Sequence, residues 1–244
     1  MLRVLTLPVH DYFGALNACL GDFKVRHLAA IVLSFFLAWW CYVPIHELSH
    51  AFGCIIGGGQ VSRLEIAPIY GAAFLESIFS FVKSGSAYAG RLSGFDTYGS
   101  DLTYLLTDFF PYVFTILLGI PLLKSVSSQN RAPFINSVIF GISLRFAYAP
   151  FISVTGDFYE MGSILVSRAA VLLIPSASPE RWRSDDLFKL MDRMFFSGSI
   201  PHVLDIIVIG ASFLAGVIII FTVYWAGTVW TGFAVSIMKR MKGP

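Results

Sequence analysis

Along the 244 residues, hydrophobic positions gather in long blocks rather than in alternating or striped patterns. Five blocks come close to the roughly 20 residues that a helix needs to cross a hydrocarbon core. They fall at about 28–56, 103–123, 133–152, 157–174 and 205–236. The pattern predicts an all-α, polytopic membrane protein with about five transmembrane helices. The last block is long enough to tilt, or to break at Gly210, Gly216, Gly227 or Gly232. The first 26 residues carry Lys24 and Arg26 but no apolar core followed by a small-residue cleavage site, so no cleaved signal peptide is expected.

Two connections are more than turns. After the triple glycine 57–59, which ends the first block, "VSRLEIA" (61–67) has strand composition, and Pro68 and Gly71 mark a turn. "KSGSAYAGRLSGFDTYGSD" (83–101) is rich in Gly and Ser and reads as loop. A small membrane-associated β-hairpin is expected here, shielded from lipid wherever it dips below the headgroups. In the second connection, 175–204, Ser178 is a candidate N-cap, Pro179 suits the first helical position and Glu180 the first turn. Trp182, Leu187, Leu190, Met191 and Met194 alternate with charged residues. That pattern predicts an amphipathic helix over about 178–196, lying in the membrane surface or packed on the protein.

Composition agrees with the blocks. Hydrophobic residues make up 56% and charged residues 13%, with a mean hydropathy of +0.73; soluble domains carry about 25% charge. A net charge of +2 gives no footprint for nucleic acid. The basic tail "MKRMKGP" suits lipid headgroups. Cys19, Cys41 and Cys54 are too scattered for a disulfide framework.

The chemistry is concentrated in "CYVPIHELSHAFGCIIGGG" (41–59). Residues four apart share a helix face, so His46 and His50 can hold one metal ion. Glu47 lies close enough to reach a water on that ion without ligating it. This HExxH spacing is the signature of zinc peptidases, in which the glutamate is the general base. An ionisable side chain at the centre of a span costs about 2.5–3.5 kcal/mol on insertion scales. Three of them within five positions need compensation, either a metal or a hydrogen-bonded cluster that pins helices together. Pro44 removes a helical hydrogen bond nearby, which can open the helix to water.

A catalytic zinc site normally takes three protein ligands and leaves a position for water. Candidates for the third are Glu65, Glu76, Asp96, Asp101, Asp108, Asp157, Glu160, His10, His27 and His202. Counting crossings brings "VTGDFYEMG" (154–162) back to the membrane face on which the first block ends, and sends His10, His27 and His202 to the other. Asp157, at a junction of two blocks beside Gly156, is the preferred ligand, although it also suits a helix N-cap. Glu160, one turn on, ligates instead or orients a ligand. Asp108 is the runner-up. Glu65 and Glu76 would serve a soluble-type site with a glutamate ligand.

HELSH in an early span, an aspartate about 110 residues later at a span boundary and a strand-like stretch between them resemble the site-2 protease family of intramembrane zinc metalloproteases. The resemblance covers roughly residues 28–174. With no internal repeat and no long linker, the chain over 1–244 is expected to be a single membrane domain, in which the resemblance implies a three-helix metalloprotease core. It further implies one Zn2+ per chain held by His46, His50 and Asp157, with Glu47 as catalytic base. The family's second motif has Asn and Pro upstream and Gly directly after the aspartate; here the stretch reads "FAYAPFISVTGDFYE".

The expected activity is hydrolysis of a peptide bond in a membrane-embedded or membrane-tethered protein, by a multi-pass enzyme whose partners are that substrate and the bilayer. The strand at 61–67 offers an edge to which an unwound substrate could add, or it is a structural plug. Arg145 is expected to stabilise an oxyanion or to face headgroups. Two other readings are a non-catalytic metal transporter or sensor and a membrane-anchored zinc peptidase acting on soluble peptides.

Overall fold

The computed structural model describes residues 2–21, 24–128, 132–174, 178–196 and 202–241. Residues 175–177 and 197–201 of the second connection, and the last three of the basic tail, lie outside the described residues.

The N-terminal stretch, unassigned from its sequence, is a helix, α1 (Leu2–Leu20). Its Ala15 and Cys19 join a core cluster. Its Asp11 pairs with Lys124 at 2.7 Å and accepts from the Tyr224 hydroxyl at 2.9 Å. The helix is thereby tied to the two segments that carry those residues.

α2 (Val25–Ile56) carries the HELSH segment and continues through Pro44. It ends at the glycines: Gly58 has φ +89°, a left-handed conformation that sends the chain back along the helix it has just left. β1 (Gln60–Ile66) therefore starts beside Cys54, and the turn after it reaches Trp40, whose indole N–H donates to the Ile69 carbonyl at 2.6 Å. A short helix, α3 (Ala72–Ile78), leads to β2 (Val82–Ser84), and β3 (Gly90–Asp96) follows. The strand order is β2-β1-β3, with β2 parallel and β3 antiparallel to β1. A three-stranded mixed sheet thus replaces the expected hairpin, and part of the stretch read as loop is strand. Because β1 is central, both of its edges are taken and it cannot receive a further chain. The edges left open are those of β2, three residues long, and of β3.

α4 (Asp101–Phe109) begins at Ser100, whose hydroxyl accepts from the Thr103 N–H at 3.2 Å. The rod continues through a tight turn at Pro111 and a widened turn over Thr115–Gly119 into α5 (Ile120–Ser128). α6 (Pro133–Ala147) and the one-turn α7 (Ala149–Ile152) occupy the third block, α8 (Asp157–Leu173) the fourth. α10 (Val203–Met241) follows the short helix α9 (Leu187–Met191) and runs 39 residues without a break at any of its glycines. Among the described residues, three helical segments are long and apolar enough to cross a membrane: Val25–Ile56, Asp101–Ser127 and Val203–Met241. The blocks at 133–152 and 157–174 fold as shorter helices.

The expected amphipathic helix over 178–196 is broken into a turn at Pro179–Arg181, α9 and a widened turn over Asp192–Phe196. Ser178 does not cap it; its hydroxyl bonds to Glu180 at 2.9 Å, and Asp186 caps α9 instead. Trp182, Leu187, Leu190 and Met194 are buried against Tyr159 and Val208, whereas Met191, Phe188, Phe195 and Phe196 stay exposed, so the segment packs one apolar side on the protein and presents another outward. The break has a physical cause: Asp186 and Ser184 bond to local backbone, which competes with helix.

Candidate metal centre

Two prolines that interrupt helices set up the site. A proline has no N–H for the carbonyl four residues back. Pro111 thus leaves the Thr107 carbonyl free, and His50 Nδ1 donates to it at 2.8 Å. A carbonyl can only accept, so in the neutral ring the proton is on Nδ1 and the lone pair on Nε2. Likewise Pro150 frees the Phe146 carbonyl, which accepts from Thr115 Oγ1 at 2.7 Å and holds the second rod against α6.

The second histidine is oriented in the same manner. His46 Nδ1 meets the Tyr42 hydroxyl at 2.9 Å, one turn earlier on α2. The two Nε2 atoms then stand 3.1 Å apart. Asp157, in the first turn of α8, places Oδ2 at 3.5 Å from His46 Nε2 and 3.7 Å from His50 Nε2. The Tyr112 and Ser153 hydroxyls both donate to that oxygen. Gly156, not Asp157, is the N-cap residue of α8, so the carboxylate is turned to the histidines instead of its own helix end.

Among the described residues, His46, His50 and Asp157 form a group able to hold one metal ion, their donor atoms all within 4.8 Å of one another. A tetrahedral ion with bonds of about 2.0–2.1 Å holds its ligands about 3.3 Å apart. Separations of 3.1, 3.5 and 3.7 Å fit such an ion. So does the donor set: two imidazole lone pairs and a carboxylate, each fixed from behind by a hydrogen bond.

Glu47 lines the same cavity, of roughly 540 Å³. β3 lies directly over it: a Cβ added to Gly90 would stand 2.2 Å from Glu47 Cγ. Only glycine allows this approach, which sets the outer strand β3 against the glutamate. Asp108 and Glu160 also line the cavity. The remaining candidates are elsewhere. Glu65 is paired with Arg63 at 2.7 Å. Glu76 takes hydrogen bonds from Lys83 and the Ser84 N–H, which hold its carboxyl below the usual range. Asp96 accepts from the Tyr98 N–H, and Asp101 is bound to Arg183. His10 is exposed, His27 is buried near the start of α2, and the backbone N–H of His202 donates to Asp205.

Arg145 takes neither expected position. Its guanidinium stacks on the rings of Trp39 and Tyr42, at 4.4 and 4.2 Å, behind the tyrosine that holds His46. Sequence reasoning also missed Tyr42, Thr107, Tyr112 and Ser153; the proline four residues after Thr107 was the signal available for one of them. No protein family, curated protein or solved structure matches the chain.

Proposed function

We propose that this chain is an intramembrane zinc metalloprotease that hydrolyses a peptide bond of a membrane-embedded or membrane-tethered protein. The observation that carries the reading is the convergence of His46, His50 and Asp157 beside Glu47 at one polar cavity in an otherwise apolar helical protein. In this reading α6 and α8 are crossings as well, making five. At 15 and 17 residues they extend about 23 and 26 Å, short of a typical 30 Å core but close enough for the bilayer to adapt. The sheet then lies along the cavity-bearing half of α2, with Ile69, Phe74 and Ile78 exposed to lipid.

Bound zinc supplies Lewis acidity, polarising a scissile carbonyl and acidifying a water. The chain's own residues do the rest. Glu47 accepts the water's proton and delivers it to the leaving amine. Thr107, Tyr42, Tyr112 and Ser153 keep the three ligands aimed at one point, so little reorganisation accompanies the reaction. A helical substrate hides its carbonyls in its own hydrogen bonds, so it must unwind. The open edge of β3 receives the extended chain and presents its carbonyls next to Glu47.

The test combines metal content with turnover. Purified wild type should hold about one zinc per chain, Asp157→Ala far less. Reconstituted with a library of fluorescent single-span peptides, wild type should cleave at least one, and Glu47→Gln none while still holding zinc. Full zinc in Asp157→Ala would move the third ligand elsewhere. Zinc uptake with no hydrolysis in wild type would favour the transporter or sensor reading. Cleavage confined to soluble peptides would favour the membrane-anchored peptidase.

A further inference from the structure

The cavity that holds the metal ligands has a second, unused set of acids. Tyr104 and Asp108 are four apart on α4, and Asp157 and Glu160 three apart on α8, so each pair shares a helix face. The two faces meet where the Tyr104 hydroxyl donates to Glu160 Oε1 at 2.7 Å. Asp108 lines the cavity, is only 5% exposed, and its Oδ2 is buried with no hydrogen-bond partner. Glu160 is 9% exposed, and Tyr104 serves one of its two oxygens. A buried carboxylate oxygen without a donor is costly, more so in an apolar protein. Helix packing alone gives no reason to retain Asp108 in this state beside a second acid, Glu160.

The charge balance of the cavity points the same way. Besides Asp108 and Glu160 its lining includes the carboxylates of Glu47, Asp157 and Asp185, the last paired with Lys189 at 2.9 Å. The arginines in the lining are Arg91 and Arg183, and Arg183 is already bound to Asp101 at 2.8 Å and to Ser167 at 3.0 Å. A divalent ion on His46, His50 and Asp157 would answer part of the excess and leave Asp108 Oδ2 without a partner and Glu160 with the Tyr104 hydroxyl as its hydrogen-bond donor. A second metal ion does not suit them: metal sites of this kind need three or more converging donors, and the group found among the described residues is the one that includes Asp157.

We propose that Asp108 and Glu160 form a subsite for a cationic side chain, lysine or arginine, close to the scissile bond of the substrate. An ammonium or guanidinium group brings several donors to carboxylates that have acceptors to spare. An extended chain on the β3 edge turns alternate side chains toward the α4–α8 wall, which is how such a residue arrives there. This proposal deepens the protease reading and rests on it for the meaning of "scissile", but cation binding itself needs no metal.

Photo-crosslinking tests it. Three decapeptides, each with a diazirine and identical except for a central lysine, norleucine or glutamate, are titrated against the 244-residue protein in lipid nanodiscs, both chelator-treated and zinc-loaded. The lysine peptide should label wild type with about tenfold or greater preference over norleucine, with or without zinc. That preference should collapse in Asp108→Asn and in Glu160→Gln, two near-isosteric variants whose folding is checked by their unfolding midpoints; either variant suffices should the other not fold. Equal or negligible labelling by lysine and norleucine overturns the subsite, and so does the strongest labelling by glutamate. A lysine preference in a protein that never takes up zinc would retain the subsite and sink the protease reading instead.

Discussion

At the scale of single residues, the site depends on groups that look like helix faults. Pro111 removes one backbone hydrogen bond and thereby gives His50 its acceptor. Pro111→Ala should restore an N–H that competes for the Thr107 carbonyl. We expect zinc affinity, measured by chelator competition, to fall about tenfold, within the range typical of lost outer-sphere partners, with no loss of thermal stability. Tyr42→Phe removes the partner of His46 Nδ1 and should lower affinity by about 10–100-fold. An unchanged affinity in both variants would show that the histidines need no such support. That His46 and His50 face one another was legible because helical spacing fixes which residues share a face. While crossing order left Glu160 and Asp108 open as well, that Asp157 stands close to the two histidines was anticipated from its junction beside Gly156. The hydroxyls behind it were not, since a tyrosine in an apolar run reads as core until its partner is known.

At the scale of elements, β3 was the main loss. Gly90, Gly94 and the serines around them have loop composition, yet the glycines are there because neighbours stand too close for a side chain. An added Cβ would meet Glu47 at the first and Arg63 with Ser62 at the second. Composition reports that a side chain is missing; it does not report what fills the space. Gly90→Ala should therefore displace Glu47 or lift the strand, cutting hydrolysis at least about tenfold with zinc retained. Activity at the wild-type level would remove β3 from the account of substrate handling. The segment 178–196 failed for another reason. Ser184 and Asp186 break the helix, and Trp182, Leu187, Leu190 and Met194 turn inward to Tyr159 while Met191, expected on the same face, stays exposed.

At the scale of the whole molecule, the apolar blocks were legible because their length and hydropathy leave few alternatives. Their packing was not. α8 and α10 approach through small residues: a Cβ on Gly162 would stand 2.1 Å from the Ser212 carbonyl oxygen, and one on Gly216 would stand 2.4 Å from that of Phe158. Close backbone approach of this sort is the usual means of helix association where lipid competes for every apolar contact. Gly216→Val should cost about 1–3 kcal/mol, seen as a lower unfolding midpoint in detergent. Because α8 carries Asp157, zinc should be lost together with stability; an unaltered midpoint would mean that α10 adds little to the core. The chain also has its own chemical reporter. Cys54 is fully buried, its sulfur directed at the carbonyls of Gln60 and Asp96, which are the paired first residue of β1 and last residue of β3. Cys41, on the same helix, is exposed. Alkylation of Cys54, timed against Cys41, therefore counts how often the sheet lifts from α2, turning an inert thiol into a clock for access to the helix that carries His46 and His50.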